Sequence, residues 1–317
     1  MPHGAKCGAV LSPVAGIDCG TNSVRLLVAE VGDDGALHER ARLMRIVRLG
    51  EKVDRTGEFS ADALERTFAA LDEYADVIRS EGVTKTRFVA TSASRDVRNR
   101  GVFVEGIRSR LGVEPEVISG VEEAALSFAG AIRGLPPGLA PAPTLVVDIG
   151  GGSTEFVLGA DAPTHSISVN IGCVRITERH LHADPPTDAQ VAAAEADVAR
   201  EIGNVASAVP LADAACIVGV AGSVTTVAAM AMGLDRYDAD LIHGSVIAAT
   251  DVNAVAARLL AMSRRDRAAL GFMHPGRVDV IGAGAMILRA AVRIGGFESV
   301  IVSETDILDG IVYSIGA

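Results

Sequence analysis

Tryptophan is absent from the 317 residues, and aromatic residues make up only 3% of them. Surfaces that stack on bases or sugar rings are therefore scarce. The apolar content, 49%, is carried largely by Ala, Val, Leu and Ile, which suits buried parallel strands covered by Ala-rich helices. Cysteine chemistry is missing too: Cys7, Cys19, Cys173 and Cys216 form no CxxC or Cys/His spacing, and a chain of this size needs no disulfide framework. Reduced thiols and a cytoplasmic location are the expectation. No GxxxxGK[ST] and no HExxH occurs, which argues against a P-loop NTPase and a zinc protease.

Positive charge is in deficit. Forty acidic residues against 29 basic ones give a net charge of -11, a field that repels nucleic acid, anionic membrane and free polyanions. Neither nucleic acid nor membrane is expected as a partner, and a polyanionic substrate requires a local basic patch. The N-terminus lacks a long apolar run before a cleavage site, so no signal peptide is expected and residues 1–12 read as a loose tail. The uncharged stretch Ala214 to Leu234 is long enough to cross a bilayer. However, Gly219, Gly222, Ser223, Thr225 and Thr226 divide it into a strand, a glycine loop and a helix.

What is present is one pattern used twice. Val14 to Ile17 reads as a strand ending in Asp18, followed by the turn Gly20-Thr21-Asn22-Ser23 and a second strand, Val24 to Val31. A third strand is expected within Leu37 to Leu49. Leu64, Phe68, Leu71, Ala75 and Ile78 recur at helical spacing with Gly82 as a stop, and strands and helices then alternate. The proline-rich segment Gly134 to Pro143 reads as a connection between lobes. After it the chain starts over: Leu145 to Val147, then Asp148 and the loop Gly150-Gly151-Gly152-Ser153-Thr154, then Glu155 and a strand through Phe156 to Leu158.

A single strand, Asp and glycine turn is an ordinary tight turn, but two such units suit phosphate chemistry. Glycines let backbone N–H groups approach oxygens closely, the hydroxyls add donors, and an Asp can orient Mg²⁺ against the anion. A third candidate, Gly222-Ser223, follows a predicted strand and opens a helix, where anionic oxygens are favoured, although close packing explains it equally well. Gly282-Ala283-Gly284 reads as helix packing. The arginines at 40, 42, 45 and 48 read as an exposed strand face outside any site, and Arg264, Arg265 and Arg267 as a solvated helix surface. Arg98 and Arg100 read as a solvated charged turn.

Asp18 to Ser23, Ala90-Thr91-Ser92-Ala93-Ser94-Arg95, Ile118-Ser119-Gly120-Val121-Glu122-Glu123-Ala124 and Asp148 to Glu155, in this order, resemble the exopolyphosphatase and guanosine pentaphosphate phosphohydrolase (Ppx/GppA) family. The resemblance continues through Ile171 to Arg175, Gly222 to Thr226, Pro275-Gly276-Arg277 and Ser303 to Gly310. It implies an α/β, actin-like (ribonuclease H-like) fold of two lobes with mixed sheets and a cleft between them. Residues 13–121 and 303–317 would form the first lobe and 122–302 the second.

The resemblance also implies roles. Glu123 would be the catalytic carboxylate that activates water and Arg95 a phosphate contact, while Gly20, Thr21, Asn22, Ser23, Gly150, Gly151, Gly152, Ser153, Thr154, Gly222 and Ser223 would cradle phosphates. Asp148 and Glu155, with Asp18 as an outer contributor, would hold Mg²⁺. The implied reaction is release of terminal orthophosphate from inorganic polyphosphate, with guanosine pentaphosphate as the alternative substrate and a non-catalytic alarmone sensor as the alternative class. Long members carry further helical domains, so a short-form chain is expected to prefer short polymers. Members commonly pair, so a homodimer is expected.

Overall fold

The computed structural model describes residues 12–32, 35–95 and 97–316. Cys7 and all but the last residue of the expected tail lie outside them. Two mixed sheets organise the chain, of five and six strands, and they share one order apart from an added edge strand in the second. The first runs β3(Leu37–Ile46), β2(Ser23–Val31), β1(Val14–Cys19), β4(Lys85–Ala90), β5(Glu116–Val117). The second contains β6(Thr144–Ile149), β7(Thr154–Gly159), β8(Pro163–Val169), β9(Cys216–Val220), β10(Val246–Ala248) and β11(Ser299–Val302), in the order β10-β11-β9-β6-β7-β8. In each, three antiparallel strands lead into parallel pairings, β1 with β4 and β6 with β9. This duplicated topology is the two-lobed, actin-like α/β fold. It places Asp18 and Asp148 at equivalent ends of the central strands β1 and β6.

The local chemistry explains the elements. β1 and β6 are buried along their whole length, as central strands covered on both faces must be. β3 is mostly exposed and lies at a sheet edge, where its arginines resist pairing with another chain. Ser60 caps the Ala61–Ser80 helix, and Gly82 lies just past its end at φ 64°. The stretch suspected of membrane length is split into β9 and the Ala221–Ala231 helix. Among the described residues no helix is long and apolar enough to cross a membrane.

β8 and β10 were not anticipated; both carry exposed residues and lie at sheet edges, where burial imposes little pattern. Each lobe has its own core, one around Phe88, Phe103 and Tyr74, the other around Phe156, Ile217 and Met286. Two helices join them. Gly120–Gly134 packs through Ala124, Phe128 and Ala131 on the second sheet, while its Leu126 meets Ile307 and Ile311 of the Ile307–Gly316 helix on the first. The expected division at residue 122 thus falls inside a helix that serves both lobes. The crossing is tight, since a Cβ on Gly130 would lie 1.8 Å from the Asp306 carbonyl oxygen.

Candidate active site

The two glycine turns face each other across a cleft of about 110 Å³. The space is large enough to admit a phosphoryl group. Each turn is closed by the same bond, Gly20 N–H to Ser23 C=O (2.9 Å) and Gly150 N–H to Ser153 C=O (3.1 Å). Glycine is required where the turns meet: a Cβ on Gly151 would lie 2.9 Å from Thr21 Cβ, and one on Gly152 would lie 2.7 Å from Thr21 Oγ1.

Of the residues singled out in the sequence, Asp18, Gly20, Thr21, Asn22, Ser23, Glu123, Asp148, Gly150, Gly151, Ser153, Gly222 and Ser223 line this cleft. Four do not. Gly152 lines a smaller cavity on the far side of Thr21. The Thr154 hydroxyl is taken by the Ile171 carbonyl at 2.6 Å, and Glu155 accepts from Ser168 Oγ at 2.6 Å behind the loop. Arg95 is paired with Glu123 and donates from Nε to the Ile118 carbonyl at 3.1 Å.

Helix phase separates the two neighbouring glutamates, since successive residues point about 100° apart. The Ser119 hydroxyl accepts from the Glu122 N–H at 3.2 Å and fixes the start of the Gly120–Gly134 helix. Glu123 then faces the cleft and is only 7% exposed. The Glu122 side chain turns outward, 45% exposed, to an ion pair with Arg87 at 2.7 Å.

Buried carboxylates dominate the floor. Burial pushes the Asp148 carboxyl well above its ordinary range, and the Glu155 and Asp306 charges push it further; the Ser127 hydroxyl, donating at 2.6 Å, pulls the other way. Asp148 and Glu155 are cross-strand partners in β6 and β7, and burial raises Glu155 as well. Asp18 is likewise raised by burial, against the pull of Arg25, whose Nε and Nη2 both donate to Oδ2 at 2.9 and 2.6 Å. Its other oxygen, Oδ1, is buried with no hydrogen-bond partner.

Among the described residues no cluster of three or more His, Cys, Asp or Glu side chains is arranged to hold a metal. An orphaned carboxylate oxygen on one wall and an electrostatically crowded Asp148 on the other nonetheless fit Mg²⁺. That ion keeps most of its waters and takes one or two carboxylates together with substrate phosphate.

Several residues of the site were not anticipated. Arg25 also pairs with Asp306, tying β2 to the start of the Ile307–Gly316 helix. Arg277 lines the cleft and lies so close over Gly222 that a Cβ there would be 2.2 Å from its guanidinium. Ala221 has φ 69°, an uncommon conformation for a non-glycine residue, which turns the chain sharply into its helix. Arg42, read as part of a solvated strand face, instead reaches Asp309 at 2.6 Å and lines a second chamber of about 430 Å³. That chamber shares Arg25, Met44, Ala221, Gly222 and Arg277 with the cleft. They come from separate segments of the sequence, and the distances that unite them are visible only in the fold. Arg267, expected on a solvated surface, is 6% exposed and lies 3.6 Å from Asp184.

Comparison with known proteins shows the family and the fold. Residues 27–316 match the Ppx/GppA phosphatase family. Exopolyphosphatase 2 of Mycobacterium tuberculosis is 48% identical over 317 residues, covering 96% of this chain and 99% of that protein. A solved exopolyphosphatase-like protein superposes with a TM-score of 0.93 at 44% identity, covering 96% of this chain and 98% of the other. The Aquifex aeolicus PPX-GPPA enzyme gives 0.79 at 31%, covering 96% and 99%. The chain therefore belongs to the Ppx/GppA phosphatase family, hydrolases of phosphoanhydride bonds.

Proposed function

We propose that this protein is an exopolyphosphatase that removes terminal orthophosphate from short inorganic polyphosphate chains, with Glu123 activating the attacking water. The observation that carries the reading is Glu123 itself, a buried carboxylate in a cleft bounded by two phosphate-type glycine turns. Phosphoryl transfer to water needs a positioned nucleophile, an acceptor for its proton and positive charge on the phosphate oxygens. Backbone N–H groups and hydroxyls of the two turns other than the Gly20 and Gly150 N–H groups, which close the turns, orient the terminal phosphate, and Gly222 with Ser223 receives a further oxygen at a helix N-terminus.

Glu123 accepts the proton from water. Arg95 holds the Glu123 carboxylate in place, which makes it a positioning residue in this state of the site. Asp148 and Asp18, with Glu155 behind them, would hold Mg²⁺, which would supply charge neutralisation on the phosphate oxygens. Arg277 sits at the junction with the second chamber, where the next phosphate of the chain would lie.

The test is phosphate release in the presence of Mg²⁺ from tripolyphosphate, long-chain polyphosphate, guanosine pentaphosphate and ATP. The reading expects the highest kcat/KM on tripolyphosphate. A clear preference for guanosine pentaphosphate would replace polyphosphate as the substrate, and no release from any of the four would remove the hydrolytic reading of this site.

A further inference from the structure

Polyphosphate whose terminal unit occupies the cleft can continue into the second chamber, the space that shares the cleft's own Arg25, Ala221, Gly222 and Arg277. Charge there is mostly spoken for. Arg25 is committed to Asp18 and Asp306, and Arg42 to Asp309 and Glu39. Arg277 donates to Thr226 Oγ1 at 3.2 Å and makes no ion pair among the described residues. It is the available cation, and it stands at the cleft end.

Glu304 also lines the chamber and makes no ion pair among the described residues. It is pinned at both its side chain and its backbone. The Tyr237 hydroxyl lies 2.6 Å from Glu304 Oε1 and 2.7 Å from Thr225 Oγ1, so it donates to the carboxylate while the threonine donates to it. The Glu304 backbone N–H donates to His243 Nδ1 at 3.1 Å, and His243 Nε2 donates in turn to the Gly134 carbonyl at 3.0 Å. This pairing fixes a neutral imidazole tautomer and leaves the glutamate little freedom to move aside.

We propose that Glu304 determines the polyphosphate chain length this site accepts, by holding a fixed negative charge on the path of the polymer beyond Arg277. The proposal rests on the exopolyphosphatase reading. The first phosphates past the cleft gain the Arg277 guanidinium, and those beyond face a carboxylate in a partly desolvated chamber where like charges repel strongly. The apolar walls of Leu43, Phe272, Met273 and Leu308 offer a polyanion no compensation.

Glu304→Gln keeps the volume and an acceptor for Tyr237 while removing the charge. At equal concentrations of chain ends, the ratio of kcat/KM on long-chain polyphosphate to that on tripolyphosphate is expected to rise about tenfold, the scale of one like charge removed at intermediate range. Tyr237→Phe, which frees the carboxylate without discharging it, should raise the ratio less. An unchanged ratio in folded Glu304→Gln overturns the proposal, as does an equal change on both substrates, which marks a structural role. If the wild type hydrolyses neither polymer, the exopolyphosphatase reading fails separately. Calorimetric binding of both polymers to wild type and Glu304→Gln then decides, and an unaltered ratio of affinities overturns the chain-length role.

Discussion

Asp148 is held at a cost. Its carboxyl is raised because burial and the charges of Glu155 and Asp306 all disfavour ionisation, so the folded protein binds a proton there more tightly than the unfolded chain does. A group raised in this way contributes stability that is fully present below its unfolded value of 3.8 and is lost as pH rises through its folded value, about 8. Asp148→Asn is therefore expected to raise metal-free stability at pH 8 by about 0.5–2 kcal/mol, as relief of functional strain commonly does. The gap between variant and wild type should shrink as pH is lowered towards 5. Thermal melts across that range check this, and a gap that widens on acidification would contradict the sign. Saturating Mg²⁺ should raise the wild-type melting temperature and do so much less in the variant.

Residue identity made part of this site legible. Asp and glycine after a short apolar strand, occurring twice, pointed to both jaws, while helix geometry said only that one of the two neighbouring glutamates faces inward and the family resemblance chose Glu123. Thr154 and Glu155 lie off the cleft because register, fixed only by strand pairing, gives their side chains to the Ile171 carbonyl and the Ser168 hydroxyl. Glu304, Tyr237, Arg42 and Arg277 come from four separate segments, and no local pattern joins them.

Among the elements, the crossing of the Gly120–Gly134 and Ile307–Gly316 helices decides how Glu123 is presented to the cleft. Gly130 and Gly310 let the backbones touch, since a Cβ on Gly310 would lie 2.0 Å from the Leu126 carbonyl oxygen. The obstacle is main chain in both cases, so it cannot rotate away. Gly130→Ala is expected to destabilise by about 1–3 kcal/mol or more, the range for overpacking. Urea unfolding measures it, and a change within about 0.5 kcal/mol of zero, typical of unconstrained surface positions, would show that the crossing is looser than described. Alternation of strands and helices foretold these helices; their closest approach depends on glycines that look unremarkable in the sequence.

For the whole molecule, the net charge of -11 opposes a polyanionic substrate while the cleft arginines attract it. The two effects act over different distances. At about 0.01 M salt the Debye length is about 30 Å and the global repulsion reaches the approaching polymer, whereas at about 0.1 M it is about 10 Å and the local groups dominate. With Mg²⁺ held constant, kcat/KM on tripolyphosphate should rise over this interval. A steep fall would mean that long-range attraction, not repulsion, governs encounter.

The lobes also meet along a rim: Asp54 lies between Arg175 and Arg179, and Arg48 reaches Asp279 at 2.8 Å. These contacts keep the two jaws opposed around Glu123. The most direct test of the account is the pair Glu122→Gln and Glu123→Gln, assayed for Mg²⁺-dependent phosphate release from tripolyphosphate with folding checked by circular dichroism. Glu123→Gln should lose about 10²- to 10⁴-fold in kcat, the usual worth of a general base, while Glu122→Gln stays close to wild type. Full activity in folded Glu123→Gln, or an equal loss in both variants, would contradict the central role given to Glu123.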